Sequence, residues 1–141
     1  MLSRRIFAAC GLCSALGLVA SAVEAGAQTV GTTTMGGLTR TMLGSIDYPG
    51  NGKVSLLMAV TIAADAPIAR HTHPGIESTV VMEGGLRLEI QGQPARTYKA
   101  GEGFQVPAGV PHGGKNGPVV SKLAITYVVE KDKPLASPAP E

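Results

Sequence analysis

His71-Thr72-His73-Pro74-Gly75-Ile76-Glu77 is the stretch that decides the reading of this chain, and Pro107-Ala108-Gly109-Val110-Pro111-His112 is its counterpart. The two segments hold all three histidines of the 141-residue sequence. Side chains alternate along a β-strand, so His71 and His73 stand on one face, roughly 6.6 Å apart. Two imidazoles at that spacing can converge on one metal ion. A carboxylate four residues on and a third histidine from another strand complete a mixed nitrogen and oxygen set. Such donors suit Mn, Fe, Zn, Ni or Cu and leave positions open for substrate or water.

Around these segments the chain reads as all-β. Nineteen glycines and ten prolines divide it into short runs rich in Val, Ile, Leu, Thr and Tyr, the pattern of a sandwich or barrel. Strands are expected near 38–44, 54–63, 69–73, 78–83, 86–91, 95–99, 103–106 and 119–129. Gly84-Gly85, Gly92-Gln93-Pro94 and Pro49-Gly50-Asn51-Gly52 read as turns. Leu86-Arg87-Leu88-Glu89-Ile90-Gln91 alternates cleanly and predicts one wet face. Residues 54–62 and 123–129 are nearly continuous apolar runs, expected to be buried on both faces or covered by a partner subunit, which suggests a homodimer.

Residues 1–27 are read as a signal peptide. Arg4 and Arg5 precede an apolar run from Ile6 to Val23, and Val23-Glu24-Ala25 and Ala25-Gly26-Ala27 both offer small-x-small cleavage sites. The start Ser3-Arg4-Arg5-Ile6-Phe7 resembles a twin-arginine export signal, with an ordinary secretory leader as the alternative. An uncleaved anchor is the competing reading of the run. Export places the product in the periplasm or outside the cell, with no membrane association after cleavage. Cys10 and Cys13 leave with the leader, so the remaining chain has no disulfide and no thiolate.

Removing the leader leaves 114 residues, one small domain, and takes Arg4, Arg5 and Glu24 from the chain's 12 basic and 10 acidic residues. The remainder is nearly neutral with no basic run, which argues against nucleic acid as a partner. Residues 28–37 read as a flexible arm or edge strand, 38–130 as the folded domain, and the Pro/Ala-rich 131–141 as a disordered tail.

Joint spacing carries a family resemblance. Asp65, His71, His73, Glu77 and Gly84 fall at the intervals of the first cupin motif, with Asp65 where the motif has a turn glycine. Gly101, Pro107, Gly109, His112 and Asn116 meet every position of the second. Residues 65–116 thus resemble the cupin superfamily of small double-stranded β-helix (jelly-roll) proteins, and the resemblance implies that His71, His73, Glu77 and His112 bind a divalent transition metal. An inert jelly roll carrying satisfied histidines is the plain alternative. Glu77 has a second possible role, as a general base beside the metal. Arg70 is read as a solvated or salt-bridged surface residue, Asn116 as a backbone clamp, and Gln105 and Tyr127 as an edge-strand polar residue and a core tyrosine, with a reach into the pocket as the rival role of these two. Met42, Met58 and Met82 are read as core filler.

With every histidine committed, proton transfer falls to Glu77, metal-bound water or the substrate. The ligand set resembles that of quercetinase-type dioxygenases. That likeness implies a metal-dependent oxidoreductase of the dioxygenase kind, acting on a small enolisable or aromatic compound. The alternatives are a non-catalytic cupin that binds a metal or small ligand, and a sugar or keto-acid isomerase or lyase.

Overall fold

The computed structural model describes residues 31–50 and 52–140; the leader reading (1–27) and residues 28–30 lie outside them. Among the described residues there are eleven strands and no helix: β1 (Thr32–Met35), β2 (Leu38–Tyr48), β3 (Lys53–Ile62), β4 (Pro67–Thr72), β5 (Gly75–Glu83), β6 (Gly85–Ile90), β7 (Arg96–Lys99), β8 (Gly103–Val106), β9 (His112–Asn116), β10 (Ser121–Glu130) and β11 (Ser137–Pro138). They form one six-stranded antiparallel sheet in the order β1-β2-β3-β10-β5-β8 and one five-stranded sheet in the order β11-β4-β9-β6-β7. This is the all-β, two-sheet jelly roll that the resemblance implies.

The core follows from period-two alternation. β3 turns Leu56, Met58, Val60 and Ile62 inward, and β10 answers with Leu123, Ile125, Tyr127 and Val129. From the second sheet, Leu86, Leu88 and Ile90 of β6 close the space. The two long apolar runs are therefore buried on one face only. Their outward side chains, with Leu57 46% exposed, form a surface continued on β5 by Ile76, Val80 and Met82. Met82 corrects the core-filler reading, since it falls on the outward parity of β5, whereas Met58 is buried and Met42 packs against the core.

Two further differences from the sequence reading, at β9 and in the tail, have physical causes, and at the N-terminal side one of its alternatives is realised. Strand β9 falls in a segment whose Gly113-Gly114 pair has little intrinsic strand preference. A side chain there has no room, because a Cβ on Gly114 would lie 2.1 Å from the Arg87 carbonyl oxygen. The 28–37 segment supplies edge strand β1, paired with β2 through Thr32–Met35. The tail is the largest correction: residues assigned to disorder on Pro/Ala content form β11, in register with Thr72 and His71 of β4. Ala139 N donates to the Arg70 carbonyl, and Arg70 Nε donates to the Pro140 carbonyl, 2.9 Å away.

Asp65 adopts φ 59°, the left-handed conformation that the motif ordinarily assigns to glycine. Among the described residues no helix is long and apolar enough to cross a membrane.

Candidate metal centre

The four ligand-type residues arrive from both sheets. His71, one residue before the end of β4, pairs with His112 at the start of β9, while Glu77 enters from β5 opposite Tyr127 of β10. A register shift in the β4–β9 pairing lies between Ile68 and His71, and re-aims the strand before its histidines. His73 stands just beyond β4. The result is one cluster whose ligand atoms lie within 4.8 Å of one another, with His73, Glu77 and His112 buried and His71 half-buried.

Backbone carbonyls set the tautomers. Nδ1 of His71 lies 2.7 Å from the Ala69 oxygen, Nδ1 of His73 2.5 Å from Leu135, and Nδ1 of His112 3.0 Å from Val110. A carbonyl only accepts, so each Nδ1 carries the hydrogen and each Nε2 presents a lone pair. Those lone pairs face inward together. His71 Nε2 is 3.1 Å from His73 Nε2, and Glu77 Oε2 is 2.9 Å from His73 Nε2 and 3.3 Å from His112 Nε2. The last approach lacks hydrogen-bond geometry, which leaves His112 Nε2 buried without a hydrogen-bond partner among the described residues. Four acceptors at such distances require a proton or a cation between them. Burial and the carbonyl contacts suit a cation, so the residues present fit a divalent metal.

The electrostatics agree. Burial, aided by the neighbouring His112 and His73, lowers the His71 imidazole to about 4 against the pull of the Ala69 carbonyl, so it is a neutral ligand at neutral pH. Burial pushes the Glu77 carboxyl up, but where protons rather than a cation fill the space between the acceptors, contacts from His112, His73 and Thr79 outweigh it and hold the group below the usual carboxylate range. Thr79 Oγ1 donates to Glu77 Oε1 at 2.6 Å, so both carboxylate oxygens are engaged. Burial and the Glu77 charge raise the Tyr127 phenol, which stays protonated while its ring packs on His73 with centroids 4.7 Å apart.

A cavity of about 40 Å³ opens beside the cluster. His71, Glu77, His112, Tyr127, Phe104 and Arg40 are among its lining residues. That volume corresponds to roughly two to four water sites. Tyr127 is in the core, as the sequence reading preferred, and it also faces this cavity, which that reading kept as the rival role. Arg40 was missed altogether, although the inward parity of Leu38, Arg40 and Met42 was there to be read. Arg70 and Gln105 lie outside the site; Arg70 Nη2 bonds Gln91 and Gln105 Nε2 bonds Ser78. Asn116 clamps the backbone as expected, with Nδ2 donating to the carbonyls of Ile62, Ala63 and Val119.

Known proteins agree with this architecture. Residues 58–120 match the family model described as Cupin domain. An RmlC-like cupin from Shewanella frigidimarina is 25% identical with a TM-score of 0.60, covering 74% of this chain and 87% of that one. An oxalate oxidase in complex with glycolate is 25% identical with a TM-score of 0.58, covering 75% of this chain and 57% of its own. The DMSP lyase DddQ from Ruegeria pomeroyi shares the fold at 14% identity and a TM-score of 0.65, with 78% of this chain covered and 61% of that one. Among curated proteins none matches this sequence. The chain therefore carries the cupin jelly-roll fold, and the stretch that matches the family model contains His71, His73, Glu77 and His112.

Proposed function

We propose that this chain is an exported monocupin that holds one divalent transition metal (Mn, Fe, Zn, Ni or Cu) on His71, His73, Glu77 and His112. In this reading it is a metal-dependent oxidoreductase of the dioxygenase kind, acting on a small enolisable compound. The observation that carries the reading is the set of three Nδ1–carbonyl contacts, which aim three Nε2 lone pairs and one carboxylate at a single point. When bound, the metal would supply a Lewis-acidic centre with a net charge of +1 after Glu77, open to an anionic ligand.

Glu77 is the proposed catalytic carboxylate, but its contacts favour the ligand role over the base role, because they lower its appetite for a proton. The cavity of about 40 Å³ favours small substrates over multi-ring aromatic ones. The same small cavity supports a second reading, a non-catalytic cupin that binds a metal with a small ligand. The leader reading places the mature protein in the periplasm or outside the cell, and the exposed apolar face of β3, β10 and β5 supports a homodimer.

Metal content separates these readings first. Protein purified from its own host should carry about one metal per chain by mass spectrometry, and His73→Ala should carry much less. Equal and negligible metal in both would sink the site. Oxygen uptake with β-diketones and small keto acids on the loaded protein then decides between turnover and binding alone. Sequencing the mature N-terminus should give Gly26 or Gln28.

A further inference from the structure

Arg40 makes no hydrogen bond or ion pair among the described residues, where an inward-facing guanidinium is expected to have one. Leu38, Arg40 and Met42 share the inward parity of β2, and Arg40 stands opposite the buried Val60 of β3. The four described arginines differ in what they meet. Arg70, Arg87 and Arg96 each bond an acceptor, whereas half-buried Arg40 has no hydrogen bond or ion pair among the described residues. It lines the metal-site cavity instead, with Tyr127 and Glu77.

A guanidinium that gives up water without gaining a partner costs stability, so an apolar side chain would suit this position better for folding alone. The cavity offers it no anion. Glu77 is the sole acidic lining residue, and its oxygens are taken by the histidines and Thr79. A metal on the four ligands would leave a net charge of +1, and Arg40 adds a second positive charge to the same small space. The planar fork of arginine matches a carboxylate in two parallel hydrogen bonds. The small cavity favours a small guest.

We infer that Arg40 is the anion anchor of this site: it holds the carboxylate of a small substrate whose other end faces the histidine cluster. The identity of what meets the other end rests on the metal reading above, but the contact at Arg40 does not.

The test is calorimetric titration with glycolate and its neutral counterpart glycolamide, on zinc-loaded wild type, Arg40→Met and Arg40→Lys. Wild type should prefer glycolate at least tenfold. Arg40→Met should lose about ten- to hundredfold in glycolate affinity, as expected for a charge-assisted pair, and change glycolamide by less than about twofold. Arg40→Lys should keep the preference for the anion at weaker affinity. Arg40→Met should melt no lower than wild type, since it removes an unpaired charge. The inference is overturned if Arg40→Met binds glycolate as wild type does, if wild type ignores the charge difference or binds neither compound, or if the variant only melts lower. Absence of metal from wild type and His73→Ala alike would fail the metal reading instead. The same titration on chelator-treated protein would then judge Arg40 alone, with the preference for glycolate expected to persist.

Discussion

Ending the chain after Asp132 removes the acceptor that orients one ligand. The Leu135 carbonyl, 2.5 Å from His73 Nδ1, is the outer partner of that imidazole. The β11–β4 pairing and the Arg70–Pro140 hydrogen bond hold it in place. Loss of such an outer partner typically weakens metal binding by about 10–100-fold. At free metal one hundred times the full-length Kd, binding stabilises the full chain by about 2.7 kcal/mol. A tenfold weaker site gains about 1.4 kcal/mol under the same conditions, and a hundredfold weaker site about 0.4. The metal-dependent part of the stability thus falls by about 1.3–2.3 kcal/mol. At roughly 4 °C per kcal/mol for a domain near this size, the metal-induced rise in Tm should shrink by about 5–9 °C. The assay is a thermal melt of full-length and truncated protein, each with zinc and with chelator, so that lost tail packing cancels in the difference. Leu135→Ala is the control. It deletes a partly buried side chain but keeps the carbonyl, so it should lower both melts and leave the zinc increment intact. An unchanged increment in the truncated chain would refute the reasoning, as would an equal loss in Leu135→Ala.

Acid should weaken the metal-free fold. The folded His71 sits near 4, below its unfolded value of 6.5, so its contribution is present above about pH 6.5 and lost as pH falls towards 4; Glu77, also depressed, adds a loss below its ordinary 4.5. Melts between pH 8 and 4 should slope downward over that window, and His71→Asn should flatten the upper part. Asn116→Ala strips donors from three carbonyls beneath a side chain only 3% exposed, and should cost about 2–4 kcal/mol in urea unfolding. A cost under about 1 kcal/mol would reduce the clamp to decoration. Leu57→Glu with Val80→Glu charges the exposed apolar face of the six-stranded sheet. Light scattering should show a dimer for wild type and a monomer for the double variant, and a monomeric wild type would remove the dimer reading.

What the sequence made legible was local. His71 and His73 share a face because their spacing is two, and Asp65 could be accepted in a glycine position because an aspartate tolerates the left-handed turn it adopts. Asn116 was legible for the same reason, as a turn clamp close to its motif. What stayed hidden lies across strands. Nothing in Pro134-Leu135-Ala136-Ser137-Pro138 announces a carbonyl needed 62 residues earlier in the chain, and Pro/Ala content argued the other way. Gly113-Gly114 gave no strand signal because their lack of side chains is demanded by neighbours, Ile68 and Arg87, that only pairing brings near. Arg40 became visible once β2 was set against β3 and Tyr127 against Glu77.

The division has a chemical meaning. Spacing within a strand settles which side chains can be donors, but a histidine has two nitrogens, and which one is left as a lone pair depends on the acceptor at the other. Here Ala69 and Val110 are two residues from their histidines, so two of the three tautomers are set locally, by the strands that carry them. The third is set by the C-terminal tail. His73 is thus the ligand whose readiness depends on long-range folding. The tail and the site should therefore lose order together, which the zinc increment of the truncated chain measures directly.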